Sequence, residues 1–343
     1  MKKLVRNISA VLLAFVLYNP AIAQNTPSAF KVPVYEKFSL PNGLTVYLME
    51  QHEVPLISVS AIVPAGAIYD AEKSGLANLT AAGLQYGTKS YSKTKIEEEL
   101  DFIGADLNTY ASKESATITS KFAAKDAEKV LSILKEVMVD PVFDKDEFEK
   151  ERKRVLSSLE QAKLSPRNVI NAYWDKFIYG SHVYANPVNG SPATVGKFSV
   201  DDLKTFYKNN YGPQGSAIAI VGDFNAKMMK ARITSLFGAW KKTGLPQNNL
   251  AAQAVSPPQT ARVLLVNKED ARETTFLIGG MGIRRDNPDF VAIEVVNTVF
   301  GGRFTSWLND ELRVNSGLTY GARSSFDPNN GEIRKTTGIT TSI

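Results

Sequence analysis

The sequence has 343 residues, a formal net charge of +5, two histidines and no cysteine. The lack of cysteine excludes disulfides and zinc sites built from thiolates. Lys2, Lys3 and Arg6 lie within the first six residues, and without them the net charge falls to 5 − 3 = +2. This charge is too small and too evenly spread to indicate nucleic-acid binding.

The first residues have the three parts of a secretory signal. A basic start over residues 1–6 precedes an apolar run over residues 8–18, and Ala21 and Ala23 form a small-residue cleavage site. The run is too short to span a bilayer, so export is favoured over a membrane anchor. We therefore expect a signal peptide over residues 1–23 and a periplasmic or secreted mature chain without membrane contact. Its 343 − 23 = 320 residues exceed one typical core and favour two domains.

The pattern over residues 30–245 predicts a first domain that mixes strands and helices. Alternating apolar residues around Asn42 and Gly43 indicate a hairpin, residues 56–63 a buried strand, and residues 75–84 a short packed helix. Ser92 is a candidate cap for the next helix. The other predicted elements are two strands within 105–122, helices over 125–139, 144–164, 200–207 and 228–240, and a strand over 216–221.

Residues 246–260 are rich in Gln, Asn, Pro and Ala and are predicted to be an interdomain linker. A second domain follows over residues 261–343. Its predicted elements are strands over 261–266, 274–279 and 318–326 and helices over 290–300 and 303–314. The last residues have a strand-like pattern with no element after them, so we expect this domain to be partial. Because helices and strands mix in both parts, the predicted class is α+β.

Several short motifs, in one order, resemble those of the pitrilysin/insulinase family of zinc peptidases. They are Leu40–Val46, Gly75–Ala77, Gly87–Thr88, Glu151–Arg152, Pro187–Pro192, Phe206–Pro213, Val221–Asp223, Phe300–Gly302 and Leu312–Tyr320. Each motif is weak alone, whereas their shared order and spacing extend the resemblance from about Tyr35 to the end. The resemblance implies two homologous α/β sandwich domains, each with an antiparallel sheet packed by helices.

In that family the motif helix of the first domain carries the inverted zinc motif H-x-x-E-H. Its two histidines bind zinc, and the glutamate between them activates water. The resemblance places the two ligands on Asn78 and Ala82, the base on Ala81 and a third ligand on Ser158. All four positions are substituted, so we expect no catalytic residue in this chain and a purely structural helix.

Other residues offer little material for a rebuilt zinc site. His52 and His182 are in different elements, neither belongs to a ligand cluster, and each is expected to be an ordinary surface or loop histidine. Glu151 lies two turns before Ser158 and is expected to be a helix-surface or supporting carboxylate. We therefore predict no metal site in this chain.

Arg313 and Tyr320 form the second candidate constellation. Taken alone, they are an arginine in a surface pair with an acid and a half-buried strand tyrosine. The resemblance implies instead that they bind substrate: the arginine contacts a peptide carbonyl, and the tyrosine donates to the oxygen that gains charge during hydrolysis.

The first functional hypothesis is an exported, non-catalytic subunit of a heterodimeric zinc endopeptidase. In the family, zinc is then expected on a partner chain with an intact H-x-x-E-H motif, and this chain supplies Arg313 and Tyr320 to peptide substrates. The alternative is an inactive structural or peptide-binding homologue, similar to the core subunits of the respiratory cytochrome bc complex. An active single-chain metalloendopeptidase is disfavoured by the four substitutions.

Overall fold

A computed structural model describes residues 33–241, 260–271, 273–283, 285–327 and 335–342. The predicted signal peptide and residues 246–259 of the predicted linker lie outside the described residues. The predicted domain bounds therefore stay predictions. Among the described residues, every helix is too short or too polar to cross a membrane.

Six strands of the first part form one sheet in the order β1-β2-β6-β3-β5-β4. They are β1 Glu36–Ser39, β2 Thr45–Glu50, β3 Leu56–Val63, β4 Asp106–Ala111, β5 Ala116–Ala123 and β6 Ala217–Gly222. Neighbouring strands pair antiparallel except β2 and β6, which pair parallel. The hairpin predicted at Asn42 and Gly43 joins β1 to β2, and Gly43 has a φ of +97°, in the left-handed region that favours glycine.

Eight helices accompany this sheet in the described residues. They are α1 Leu76–Gly83, α2 Lys93–Ile103, α3 Ala127–Val139, α4 Lys145–Ala162, α5 Pro166–Tyr179, the short α6 Pro192–Val195, α7 Val200–Asn210 and α8 Ala226–Phe237. Alternate strand residues such as Val46, Ile57 and Ile118 are buried, and they share one core with helix residues such as Leu134 and Leu203. This sheet packed by helices confirms the predicted mixed class.

Helix α5 was not predicted from the sequence. Pro166 occupies the first turn of α5, where its missing N–H is harmless. The helix buries Trp174 and Ile178 in a second, smaller core together with Ile68 and Tyr184. Ile68 is distant in the chain from α5, so the sequence around the helix does not reveal this contact.

The second part contains a four-stranded antiparallel sheet in which β10 pairs with three strands. Its elements are β7 Thr275–Leu277, β8 Gly280–Met281, α9 Phe290–Phe300, the short α10 Trp307–Asn309, a π-helical turn Asp310–Asn315, β9 Ala322–Asp327 and β10 Lys335–Ser342. Helix α9 has the predicted bounds.

Three predicted elements of the second part need correction. Residues 261–266 form no strand: they pair with no described strand, and Val263 and Leu265 are exposed. A strand needs a ladder partner as well as apolar residues. The helix expected over 303–314 begins only at Trp307 and widens into the π-helical turn, and the strand expected from residue 318 begins at Ala322 because Gly317 turns the chain with a φ of +63°.

Candidate functional site

Helix α1 occupies the position where the family resemblance places a zinc helix, and its start is tightly held. The Asp70 carboxylate accepts hydrogen bonds from the backbone N–H groups of Gly75 and Ala77 at 2.8 and 2.7 Å. Burial raises the pKa of Asp70 to about 7, although these N–H donors and the charge of Lys113 act in the opposite direction. Asp70 therefore caps α1 from five residues before Gly75, a role that the sequence analysis missed.

The side chains of α1 are unsuited to bind zinc. Ala81 has an exposed fraction of 0% and belongs to the main core, and Ala82 is partly buried against that core. Asn78 donates from Nδ2 to Oδ1 of Asn189 at 3.3 Å. Two methyl groups and one amide replace the donors of the family motif, whereas a zinc ion needs about three N, O or S ligands. The residues present do not fit the metal.

The third predicted ligand position is also without a suitable donor. Ser158 lies on α4 and is exposed. One turn before it, Arg154 donates from Nε to the carboxylate of Glu151 at 2.7 Å. Burial, assisted by the negative charge of Glu151, raises the pKa of the neighbouring Tyr86 phenol. Glu151 thus has an arginine as its charge partner.

The two histidines lie in separate environments. His52 is exposed, its Nδ1 lies 2.7 Å from Oδ1 of Asp223, and its Nε2 lies 3.8 Å from the carboxylate of Glu50. The hydrogen bond to Asp223 raises the pKa of His52. Because the two carboxylates approach opposite ring nitrogens, the three groups do not converge on one point.

His182 is a loop residue, as expected, but it is buried. Its Nδ1 accepts a hydrogen bond from the backbone N–H of Tyr184 at 3.2 Å, and the two rings stack with centroids 5.2 Å apart. Burial lowers the pKa of His182. Across the described residues, no group of three His, Cys, Asp or Glu side chains is arranged to hold a metal.

Arg313 and Tyr320, the two predicted substrate-binding residues, lie side by side. The guanidinium carbon of Arg313 is 4.8 Å from the ring centroid of Tyr320 and 4.4 Å from that of Phe304. Tyr320 is 78% exposed, so the alternative of a half-buried tyrosine is wrong. Phe304 was not predicted from the sequence, although it lies two residues after the Phe300–Gly302 motif.

The chain between these two residues folds back on itself. The backbone N–H groups of Leu318 and Thr319 both donate to the carbonyl of Leu312, at 3.0 and 3.3 Å. The N–H of Gly321 donates to the Thr319 hydroxyl at 3.2 Å. These bonds bring Arg313, on the π-helical turn, next to Tyr320, at the approach to β9.

Comparison with known protein families identifies the family of this chain. The family model described as Insulinase (Peptidase family M16) matches residues 45–190, and the model described as Peptidase M16 inactive domain matches residues 197–343. The chain belongs to the insulinase family. The two matches follow each other along the chain and include α1 in the first and Arg313 and Tyr320 in the second.

The similar proteins include some that are named zinc proteases and one that is named a subunit of the cytochrome b-c1 complex. The chain is 23% identical over 290 residues to the uncharacterized zinc protease YmxG of Bacillus subtilis, covering 84% of this chain and 69% of the relative. It is 26% identical over 276 residues to cytochrome b-c1 complex subunit 1 of Bos taurus, covering 79% and 56%. The crystal structure of a peptidase M16 inactive domain from Pseudomonas fluorescens superposes with a TM-score of 0.79 at 25% identity, covering 90% of this chain and 74% of that one. The second half of the chain thus matches a family model described as an inactive domain, and a solved domain with the same description superposes on most of the chain.

Proposed function

We propose that this protein is an exported, non-catalytic subunit of a two-chain zinc endopeptidase. It supplies Arg313 and Tyr320 to a zinc site on a partner chain with an intact H-x-x-E-H motif. The signal-like residues 1–23 support export. The substitutions at the four zinc-site positions support a division of labour in which the partner carries the metal.

One observation carries the proposal. The Arg313 guanidinium lies over two aromatic rings, and no described carboxylate forms an ion pair with it. Tyr320 stands beside it with most of its side chain in solvent. A positive charge and a phenol that are held together, with no ion-pair partner among the described residues, suit the binding of an external group.

The chemistry of the pair suits a peptide bond. The Arg313 guanidinium lies over two aromatic rings, and its N–H donors suit a carbonyl oxygen of bound peptide. The Tyr320 hydroxyl is a donor for the oxygen that becomes negative when the peptide carbonyl is attacked. Arg313 then contributes mainly to binding, and Tyr320 mainly to the reaction rate.

An inactive structural homologue is the second candidate. The similarity to cytochrome b-c1 complex subunit 1 favours it, because that relative is named as a subunit of an assembly. In this case the protein retains the family fold for assembly alone. The two candidates differ in whether Arg313 and Tyr320 affect peptide cleavage.

Steady-state kinetics on the reconstituted pair distinguishes the candidates. The chain is purified with an insulinase-family chain of the same organism that carries the intact motif, and complex formation is checked by size. Tyr320→Phe removes only a hydroxyl and is expected to lower kcat by about 10²–10³-fold with an intact complex. Arg313→Ala is expected to raise KM for the peptide.

Tyr173→Phe is the matched control, because Tyr173 is exposed and lies on α5, outside the Arg313 cluster. It is expected to behave like the wild type. Unchanged turnover in an intact Tyr320→Phe complex would refute the shared site and favour the structural homologue. Failure of any such chain to associate would refute the partnership.

A further inference from the structure

We propose that Phe304 is a positioning residue for Arg313. Its ring holds the guanidinium in a fixed orientation for peptide, while the Phe304 side chain itself contacts no reacting group. The inference rests on the proposed function, because it concerns how Arg313 is prepared to bind. It adds a residue that lies outside the Leu312–Tyr320 motif.

The first step is the contact. The guanidinium carbon of Arg313 lies closer to the ring centroid of Phe304, at 4.4 Å, than to that of Tyr320, at 4.8 Å. Both distances are well within the range of cation–π interactions. An arginine is usually fixed in place by a carboxylate, which also occupies its donors and cancels its charge. Aromatic rings orient the guanidinium and leave both its charge and its in-plane N–H groups available.

The second step is the exposure of the ring. Phe304 is 65% exposed, so little of its surface contributes to a core. The contact with Arg313 is the ring interaction that the structure gives it. The ring is therefore placed for its effect on Arg313 rather than for the stability of the fold.

The third step is the support beneath the two rings. The Asn309 side chain is 3% exposed. Its Nδ2 donates to the backbone carbonyl of Phe304 at 2.6 Å, and its Oδ1 accepts from the backbone N–H of Ala322 at 3.3 Å. Ala322 is two residues after Tyr320. One buried amide thus joins the Phe304 backbone to β9, the strand that follows Tyr320. This link fixes the Phe304 ring relative to the Tyr320 ring, and Arg313 lies between these two residues in the sequence.

The expected effect follows from the strength of an exposed cation–π contact. Removing the ring is expected to raise KM about two- to fivefold with kcat nearly unchanged, which corresponds to roughly 0.5–1 kcal/mol. Phe304→Leu removes the ring and keeps an apolar side chain, whereas Phe304→Tyr keeps the ring and is expected to restore the wild-type KM. Trp307→Leu is the matched control: Trp307 is a similarly exposed aromatic at 71% and has no ring contact with Arg313 among the described residues.

A double-mutant cycle in the reconstituted pair separates positioning from other roles. If Phe304 acts through Arg313, Phe304→Leu raises KM in the wild-type background and has no further effect in the Arg313→Ala background. An equal increase in both backgrounds would overturn the inference, because Phe304 would then act independently of Arg313. An unchanged KM for Phe304→Leu, with a raised KM for Arg313→Ala, would overturn the positioning role and leave the proposed function intact. An unchanged KM for Arg313→Ala would remove the proposed function and this inference with it.

The isolated full chain gives a second readout that requires no partner. Phenylglyoxal reacts with accessible guanidinium groups, and peptide mass spectrometry gives the modification rate at Arg313. Loss of the ring is expected to accelerate modification about two- to fivefold in Phe304→Leu, with wild-type rates in Phe304→Tyr and Trp307→Leu. Equal rates in Phe304→Leu and the wild type would show that the ring does not hold Arg313 and would overturn the inference.

Discussion

Introducing glutamate at Ala81, where the family motif has its general base, should destabilise the protein rather than begin to rebuild a catalytic site. Ala81 is fully buried in the main core, which it shares with Leu79 and Leu84. A glutamate there adds four heavy atoms to a packed region, and overpacking typically costs about 1–3 kcal/mol. It also buries a carboxylate among the apolar side chains of that core.

The magnitude follows from the two penalties together. An uncompensated buried charge costs about 3–5 kcal/mol, but the carboxyl can avoid part of that by staying protonated. We therefore expect Ala81→Glu to lower the free energy of unfolding by about 3–5 kcal/mol at pH 7.5, a large share of the stability of a typical domain. Burial raises the folded-state pKa of such a glutamate, so the deficit should shrink as pH falls towards the unfolded pKa.

Urea unfolding followed by far-ultraviolet circular dichroism measures this change. Asn78→Glu is the control, because Asn78 is only partly buried and lies in the first turn of the same helix. A carboxylate there interacts favourably with the helix N-terminus, so the variant should remain within about 1 kcal/mol of the wild type. An Ala81→Glu midpoint equal to the wild-type midpoint would refute the reasoning, because position 81 would then face solvent.

Two further predictions concern the same helix. The double variant Asn78→His, Ala82→His should show no zinc-dependent peptide cleavage, because Ala81 and Ser158 still leave the base and the third ligand missing; measurable cleavage that a chelator abolishes would show that the site is placed wrongly. Burial raises the pKa of Asp70 from 3.8 to about 7, so the folded state binds more protons between these values, and the stability from Asp70 falls as pH rises through that window. Asp70→Asn should remove this part of the slope in a plot of urea midpoint against pH, and an unchanged slope would contradict the assignment.

The elements that the sequence predicted well are those whose cause is local. The hairpin at Gly43 needs only a turn residue with positive φ between alternating apolar residues. Helix α2 begins where Ser92 accepts a hydrogen bond from the N–H of Lys95, three residues on. Helix α9 carries its apolar character along its whole length and ends at a pair of glycines.

The missed features depend on residues that are distant in the chain. Helix α5 is held by a small core that includes Trp174 and Ile68, and only the fold brings these two residues together. Residues 261–266 have the composition of a strand, but a strand also needs a neighbouring strand that pairs with it. The motif located Arg313 and Tyr320, whereas the contact between Phe304 and Arg313 depends on the turn between α10 and β9, which no hydrophobic period predicts.

The zinc content of the purified full chain tests the central claim most directly. The protein is expressed without chelators in zinc-supplemented medium, passed through gel filtration and analysed by inductively coupled plasma mass spectrometry, with protein concentration measured by amino-acid analysis. The substitutions at Asn78, Ala81, Ala82 and Ser158 predict far less than one zinc ion per chain. Close to one tightly held zinc ion per chain would contradict the account and would show that this member of the insulinase family has its own metal site.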